Sequence, residues 1–284
     1  MPEIAFATYA LVPEIGPDDR LLAQALTERG VRAVPCVWND PSVDWTRFDA
    51  TLIRSTWDYH EHADAFLAWV RSFETSRTRL WNTPSLVERN LHKFYLRDLQ
   101  TSGAEIIPTE FISRGSNLEL SDILRRNDWR EAVVKPAISA GSIGTWRTSG
   151  GPGDDARFRE QLATADLLVQ PFMSEIVNAG EWSLVFFESR FSHAVIKRPA
   201  PADFRVQSQF GGEAIPIVPP GWLMERAASI LGQYRPTPLY ARIDGIVASD
   251  RFLLMEVELI EPYLFLGTSP DAASRFAGDI LKRL

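Results

Sequence analysis

The stretch LLMEVELIEP, near the C-terminus, places three carboxylates where a buried β-strand should continue. Residues 253–255 are apolar and predict a core strand, but Glu256, Glu258 and Glu261 follow at once among apolar neighbours. Side chains two residues apart on a strand point to the same face, so Glu256 and Glu258 share one face. Buried carboxylates lose hydration and repel one another. The chain must therefore supply basic side chains here or bind a divalent cation.

The composition excludes several classes of protein. The chain has 284 residues, 45% of them hydrophobic, which is too many for a disordered chain, and no apolar run long enough to span a bilayer. Cys36 is the single cysteine, so an intramolecular disulfide is excluded. The N-terminal residues lack the features of a signal peptide, and we expect a cytoplasmic location. The net charge of −7 is spread along the chain, which argues against nucleic acid as a partner. No membrane partner is expected either.

Hydrophobic periodicity divides the chain into two regions. Strands at residues 3–8, 31–38 and 49–57 alternate with helices at about 18–29 and 64–73, a pattern that predicts a small α/β domain with a parallel sheet. The remaining two thirds reads as α+β, because its strands follow one another in an antiparallel-like order.

A second strand brings further charge to the acidic stretch. Asp244 and Arg242 lie two residues apart in YARIDG, just before the acidic strand. If the two strands pair antiparallel, Asp244, Glu256 and Glu258 converge with one guanidinium. Clusters of oxygen ligands suit Mg²⁺ or Mn²⁺. An ion-pair network around Arg242 on an ordinary sheet face explains the same residues, so both interpretations stay open from the residues alone.

The segment EAVVKPAISAGSIG combines a strand that ends at Lys135 with a loop that contains Gly141 and Gly144. Glycines let backbone N–H groups approach a phosphate, and the lysine adds a positive charge. No G-K-[ST] follows the glycines, so the segment is not a Walker A motif. A Gly/Ser hairpin turn is the alternative.

The segment FRVQSQFGG predicts a further strand. Arg205 and Gln207 would share one of its faces, and Gly211 and Gly212 would let another group pass close by; a plain strand and turn is the alternative. A basic loop, a basic strand and an acidic strand pair are together what a magnesium–nucleotide site needs.

Five short motifs occur in the order found in the ATP-grasp superfamily of carboxylate–amine ligases, which this chain resembles from about residue 88 to its end. The motifs are the helix start RNLHK, VKP with its glycine-rich loop, VQPF, DFRVQSQFGG, and RIDG followed by LMEVE. Two departures matter. Glu258 stands where the family usually has asparagine, and Ser183 stands where the ribosomal-protein glutamate ligases have arginine, so the substrate site must differ from theirs.

The resemblance implies an ATP-grasp fold with an N-terminal pre-ATP-grasp α/β domain at 1–88, a small subdomain with the glycine-rich loop at 89–168 and a large subdomain with the metal site at 169–284. It implies ATP and Mg²⁺, or Mn²⁺, as cofactors. Asp244, Glu256 and Glu258 would bind the metal.

The resemblance also assigns roles to single residues. Gln170 to Met173 would form the adenine wall opposite Leu254, and Glu175 would reach the ribose. Arg205 and Arg242 would stabilise the acyl phosphate and the tetrahedral intermediate, as catalytic residues. The implied ATP-binding residues are Lys93, Lys135, Ser139, Gly141, Ser142, Gly144, Gln170, Pro171, Phe172, Met173, Glu175, Lys197 and Leu254.

A narrower resemblance includes RSTWDYH in the N-terminal domain. Together with RNLHK and DFRVQSQFGG, it is similar to the ligases that form D-cycloserine from O-ureido-D-serine. Arg54, Trp57 and Asp58 would then bind substrate, with Gly211 and Gly212; a solvated strand end with a packing tryptophan is the alternative.

The resemblance implies an ADP-forming ligase that works through an acyl phosphate on a small amino-acid-like carboxylate, with ring closure as one form of the reaction. An intermolecular amino-acid or peptide ligase and a non-catalytic ATP-binding protein stay open as alternatives. A homodimer is a family-level expectation.

Overall fold

The structure is a computed structural model that describes residues 1–201 and 203–284, apart from the side chain of Ser208. Within that part of the chain, the strands form three β-sheets. Among its helices, none has both the length and the apolar character needed to cross a bilayer.

The N-terminal sheet has four parallel strands in the order β2-β1-β3-β4. It confirms the predicted α/β domain and adds β4, a three-residue strand too short to show a pattern. Every residue of β3 is buried, as expected for a parallel strand covered on both faces. The elements are β1 (Glu3–Thr8), α1 (Pro17–Thr27), β2 (Arg32–Val37), β3 (Ala50–Ser55), α2 (Ala63–Ser72) and β4 (Arg79–Trp81).

Two helices lead into a second sheet, which has the strand order β5-β8-β6-β7 and antiparallel pairing. Its core packs two helices around Phe158. The predicted subdomain division at 168/169 falls inside β8. The elements are α3 (Pro84–Leu91), α4 (Tyr95–Thr101), β5 (Glu110–Ile112), α5 (Leu120–Arg126), β6 (Ala132–Pro136), β7 (Trp146–Thr148), α6 (Asp154–Thr164) and β8 (Leu167–Pro171).

The third sheet has five antiparallel strands in the order β11-β10-β9-β12-β13. β12 and β13 pair antiparallel, which is the arrangement that brings Asp244 next to the acidic stretch. The elements are α7 (Glu175–Asn178), β9 (Glu181–Phe187), β10 (Arg190–Arg198), β11 (Glu213–Ile217), α8 (Gly221–Leu231), β12 (Tyr240–Ala248), β13 (Arg251–Glu258) and α9 (Ala272–Leu281).

The sequence analysis predicted a strand in FRVQSQFGG, and the structure shows that this prediction was wrong. Residues 203–207 are irregular, and Ser208–Phe210 is one turn of 3₁₀-helix. The carboxylate of Asp203 accepts hydrogen bonds from the backbone N–H groups of Phe204, at 2.7 Å, and Arg205, at 2.9 Å. Such local bonds compete with a strand ladder for the backbone donors.

The segment after β13 is held against the N-terminal domain. Asp18, at the start of α1, accepts hydrogen bonds from the backbone N–H groups of Leu264 and Gly267 at 3.2 and 3.3 Å. Tyr240 lies fully buried nearby, with its hydroxyl 3.0 Å from the Ile53 carbonyl and 2.9 Å from that of Ile260. These contacts fix the sheet of β12 against the start of α1 and the C-terminal half of β3.

Asp18 makes stability depend on pH. Burial, followed by the neighbouring charge of Asp19, raises its pKa from 3.8 to about 6. The folded state therefore binds the proton more tightly than the unfolded chain, and stability is lost as pH rises from about 4 through about 6. We expect Asp18→Asn to match the wild type near pH 4 and to exceed it by roughly 1–3 kcal/mol at pH 8. Urea unfolding of both proteins across this pH range measures the difference. A difference that does not change with pH would contradict the assignment.

Candidate active site

A cavity of about 1080 Å³ lies where the three sheets meet. Loops that follow β1 and β3 form one end, the glycine-rich loop after β6 forms another, and β12 and β13 form the floor. Sites for small molecules are commonly clefts of 300–1,000 Å³, so this volume suits a nucleotide together with a small second molecule.

The predicted phosphate-binding residues meet at one end of this cavity. The Nζ of Lys93 donates to the Ser139 carbonyl at 2.7 Å and lies 3.2 Å from Oε1 of Glu256. Lys135 also lines the cavity, and burial lowers its pKa despite the opposing charge of Glu256. An additional anion would stabilise the charged form of a lysine in such surroundings.

The loop after β6 has the backbone conformation that its glycines permit. Gly141 and Gly144 have φ values of +57° and +74°. A Cβ on Gly144 would lie 2.8 Å from Cγ of Pro136, so the loop could not keep this path with a larger residue. Gly141 and Ser142 line the cavity, whereas Gly144 supports the loop from outside it.

Part of the predicted adenine wall is in place. Gln170, Pro171 and Met173 line the cavity. Phe172 lies outside it and is covered by the guanidinium of Arg147, 3.6 Å from the ring centre. Glu175, the predicted ribose contact, begins α7 outside the cavity.

A β-bulge changes the other side of that wall. Asp244 pairs with Glu256, but Gly245 pairs with Leu254, so Met255 is the extra residue of β13. Leu254 consequently lies in the core with no exposed surface, and Met255 lines the cavity. The family resemblance had placed Leu254 there, and the isolated Gly245 at the register shift is the sequence feature that could have indicated a bulge.

A chain of buried ion pairs crosses the floor of the cavity. Arg242 bonds to Oδ2 of Asp244 at 2.8 Å and pairs with Glu258. Lys197 lies 3.2 Å from the same Asp244 oxygen and 2.5 Å from Oε1 of Glu181. Glu181 was missed in the sequence because its partner Lys197 faces it only through the β9–β10 register.

The pKa values follow this pairing. Burial opposes ionisation of Asp244, but Arg242 and Lys197 outweigh it and hold the Asp244 pKa below its usual range. Burial also disfavours the charge of Arg242, which Asp244 and Glu258 more than restore, so its pKa is raised. Burial raises the pKa of Glu258 to about 7, against the opposing charge of Arg242. Negative charge on the floor is therefore only partly compensated by the protein.

The predicted three-carboxylate metal site is assembled only in part. Among the described residues, no three His, Cys, Asp or Glu side chains converge closely enough to hold a metal ion. The oxygens of Asp244 accept from Arg242, Lys197 and Ser183. The side chains of Glu256 and Glu258 face the cavity with exposures of 30% and 26%. Two carboxylates, which Mg²⁺ commonly combines with substrate phosphates, thus fit a cation better than three.

Arg205 reaches the cavity from the irregular segment before β11. Its Nη2 lies 2.8 Å from Oδ2 of Asp203, and its guanidinium lies 3.6 Å from the ring centre of Phe210. Gly212 lines the cavity, and Gly211 lies beside it with a φ of +80°.

The N-terminal residues divide between the cavity and the core. Trp57 and Asp58 line the cavity, as predicted from RSTWDYH. Arg54 lies outside it, only 2% exposed, where its Nε donates to Oδ1 of Asp19 at 2.7 Å and its Nη2 donates to the Pro262 carbonyl. The structure therefore gives Arg54 a buried partner in place of the predicted substrate contact, because α1 presents an acid that the local pattern did not reveal.

Comparison with known proteins identifies the family. The family model described as D-cycloserine synthetase DcsG, N-terminal domain, matches residues 4–82. Cycloserine biosynthesis protein DcsG of Streptomyces lavendulae is 32% identical over 299 residues, which cover 99% of this chain and 98% of that protein. The chain belongs to the DcsG family of ATP-grasp ligases. The crystal structure of D-cycloserine synthetase DcsG matches with a TM-score of 0.87 at 30% identity, over 99% of each chain.

More distant structures share the fold. D-alanine–D-alanine ligase from Bacillus anthracis, solved in complex with ATP, matches with a TM-score of 0.68 at 14% identity, over 99% of this chain and 97% of that one. The ATP-grasp ligase PsnB, solved with a precursor variant, Mg and ADP, gives 0.68 at 12% identity, over 100% and 99%. The predicted ATP-grasp fold and the predicted ATP-dependent ligase enzyme are both confirmed.

Removal of the positive charge of Arg242 and removal of that of Lys135 should have different effects on stability and on activity. Arg242→Gln leaves Asp244 and Glu258 buried without their cation, and we expect it to lower the free energy of unfolding by roughly 3–5 kcal/mol. Lys135→Gln removes a charge that burial already disfavours, so we expect about 1 kcal/mol or less. We expect it instead to weaken ATP turnover by roughly 10- to 100-fold. Urea unfolding and ADP release measure both effects; equal loss of stability would contradict the assignment.

Proposed function

We propose that this enzyme activates a small amino-acid-like carboxylate as an acyl phosphate and then joins it to a nitrogen nucleophile. The observation that carries the proposal is one shared cavity, in which the basic loop end, two partly exposed glutamates and Arg242 surround the same space. The γ-phosphoryl group of ATP passes to a carboxylate oxygen and ADP leaves. The nitrogen then attacks the carbonyl carbon, phosphate leaves with the C–O electron pair, and the nitrogen loses a proton.

Each part of the cavity has a role in this reaction. Lys93 and Lys135 bind the phosphates, with the Gly141–Gly144 loop over them. Glu256 and Glu258 would hold Mg²⁺, whose charge would offset that of the phosphates. Mn²⁺ can replace it, since both prefer oxygen ligands. Arg242 and Arg205 stabilise the negative charge that develops on the acyl group.

We propose ring closure of O-ureido-D-serine to D-cycloserine as the reaction. Support comes from full-length similarity to the cycloserine biosynthesis protein DcsG. In that substrate the oxygen-linked nitrogen lies in the same molecule as the activated carboxylate, so its attack closes a five-membered ring. Water then cleaves the bond between the ring nitrogen and the carbamoyl carbon: the ring nitrogen takes a proton, and the carbamoyl group leaves as carbamic acid, which gives carbon dioxide and ammonia.

The substrate can be tested by ADP release with MgATP and a panel of D- and L-amino acids, dipeptides and O-ureido-D-serine. Hydroxylamine added to the reaction traps an acyl phosphate as a hydroxamate. We expect O-ureido-D-serine alone to raise ADP release and to yield a hydroxamate. ADP release that requires a second, amine-bearing substrate would indicate an intermolecular ligase instead. ATP binding without ADP release for any panel member would contradict the proposed function.

The proposed metal ligand Glu256 predicts a loss of activity without a loss of stability when it is replaced. We expect Glu256→Ala to lower MgATP-dependent turnover by at least roughly 100-fold, since a group that acts in the transition state is removed. Its unfolding free energy should stay close to that of the wild type, because the Glu256 side chain is 30% exposed. Glu105→Ala, in which the mutated acid pairs with Arg226 and Arg251 elsewhere on the surface, is the matched control. Full MgATP-dependent activity in Glu256→Ala would exclude the assignment.

A further inference from the structure

The acidic strand β13 lies at the edge of its sheet, so its outer backbone groups need partners from elsewhere in the chain. The sheet order places β12 on one side of β13. On the other side, the Leu254 N–H donates to the Glu105 carbonyl at 2.8 Å, and the Leu254 carbonyl accepts from the Ile107 N–H at 3.2 Å. Main chain therefore covers the edge before the bulged Met255. Side chains cover it after the bulge.

Two buried side chains bond to the backbone at the residues that flank the glutamates. The Tyr95 hydroxyl accepts from the Val257 N–H at 2.8 Å and donates to the Val257 carbonyl at 2.9 Å. The Asn90 amide nitrogen donates to the same carbonyl at 2.7 Å, and the amide oxygen accepts from the Leu259 N–H at 2.8 Å. Asn90 is 7% exposed and Tyr95 is 4% exposed. Val257 separates the two proposed metal ligands, and Leu259 follows the second of them.

The same short segment of the chain provides one of the proposed phosphate-binding lysines. Asn90 lies near the end of α3, Tyr95 begins α4, and Lys93 lies between them. The backbone N–H of Lys93 donates to the Ala137 carbonyl at 2.8 Å, just before the glycine-rich loop, and its Nζ lies 3.2 Å from Oε1 of Glu256. This segment therefore joins the acidic strand to the loop that we propose to cover the phosphates.

A further β-strand could satisfy the same backbone groups, but it would crowd the glutamates. Opposed residues of paired strands have Cβ atoms about 4.5–5.5 Å apart, so side chains of that strand would stand beside the two carboxylates. One hydroxyl and one amide make the bonds at the edge of β13 instead. Glu256 and Glu258 keep exposures of 30% and 26% toward the cavity. The edge is thus fixed while the carboxylates stay accessible.

We propose that Asn90 and Tyr95 are positioning residues, which fix the backbone on both sides of Glu258 so that Glu256 and Glu258 can share one divalent cation. The inference rests on the proposed function, in which these two glutamates hold Mg²⁺. Mg²⁺ requires nearly octahedral geometry with ligands at about 2.0–2.1 Å, so small shifts of the strand weaken its binding. Loss of a group that orients metal ligands commonly lowers metal affinity by about 10- to 100-fold.

A purely structural role for the two side chains predicts a different result. Loss of buried hydrogen bonds would then lower the stability of the fold, and the binding of nucleotide would depend on the cation as strongly as before. The quantity that separates the two roles is the factor by which Mg²⁺ raises the affinity for nucleotide, which we call the cation factor.

The test measures the affinity for a non-hydrolysable ATP analogue by titration calorimetry, once with Mg²⁺ and once with EDTA. The ratio of the two affinities is the cation factor, and it does not depend on turnover. Tyr95 does not line the cavity, so Tyr95→Phe removes one oxygen atom without changing the surroundings of the ligand. We expect Tyr95→Phe and Asn90→Ala each to lower the cation factor roughly 10-fold, with a nearly unchanged affinity for the metal-free analogue.

Thr78→Val is the matched control, because Thr78 is 1% exposed and lies outside the cavity lining. Its hydroxyl bonds to the Trp45 and Phe48 carbonyls at 3.0 and 2.8 Å. We expect Thr78→Val to lower the free energy of unfolding and to keep the wild-type cation factor. A wild-type cation factor in Tyr95→Phe, or an equal decrease in Thr78→Val, would overturn the proposal. Tyr95→Phe decides the question alone if Asn90→Ala does not fold.

Glu256→Ala separates failure of this inference from failure of the proposed function. A cation factor that falls in Glu256→Ala but not in Tyr95→Phe would reject the positioning role and uphold the metal site. A cation factor of about one in the wild type would reject both. A decrease in Tyr95→Phe, without ADP release from any substrate of the panel, would uphold the positioning role and reject the ligase chemistry. Unfolding curves establish which variants are folded.

Discussion

The arrangement of the cavity depends on one guanidinium. Arg242 lies between two acids of the sheet, Asp244 on its own strand and Glu258 opposite it in the β12–β13 register, and its Nη1 also donates to the Tyr263 carbonyl at 2.9 Å. Desolvating charges of this kind costs several kcal/mol per ion unless partners and hydrogen bonds compensate it. Arg242 and Lys197 compensate Asp244 almost completely, and they leave Glu258 only partly compensated. The uncompensated charge faces the cavity.

This division of charge separates carboxylates that are bonded within the protein from carboxylates that keep surface toward the cavity. Asp244 is 2% exposed and fully engaged with protein donors, so in this geometry it stabilises the sheet. Glu256 and Glu258 lie one and three residues beyond the bulged Met255 and keep cavity-facing surface. Carboxylates therefore interrupt the core strand for two reasons: some complete an internal ion-pair chain, and others keep surface toward the cavity, where we propose that they hold a cation.

The sequence predicted what depends on periodicity and on motif order. The alternation of strand and helix patterns along the chain predicted the parallel sheet. The spacing of the charged residues predicted the strand pair that brings Arg242 to the acidic stretch. The features that the sequence did not predict depend on pairing between distant segments, or on side chains that compete for backbone hydrogen-bond donors. The bulge that exchanges Leu254 for Met255 has one weak local signal, the isolated Gly245 of the facing strand. The Arg54 contact with Asp19 joins a strand to a distant helix, and the Glu181 partner appears only once β9 and β10 are in register. Asp203 is the residue that could have indicated an irregular segment at residues 203–207, since its carboxylate accepts hydrogen bonds from two backbone N–H groups.

Ser183 takes part in the ion-pair chain and does not line the cavity. It stands where similar ligases have an arginine, and its Oγ donates to Oδ1 of Asp244 at 2.6 Å, so it is turned into the ion-pair chain and fully buried. Arg242 cannot take over as a freely movable guanidinium, because its nitrogens are already bonded to Asp244, Glu258 and the Tyr263 carbonyl. Among the residues that the structure describes, the acid that pairs with Arg205 is Asp203, in the same irregular segment. The two arginines that we propose for the acyl group therefore differ, because Arg242 is fixed by its partners in the sheet and Arg205 is bonded to an acid of its own irregular segment.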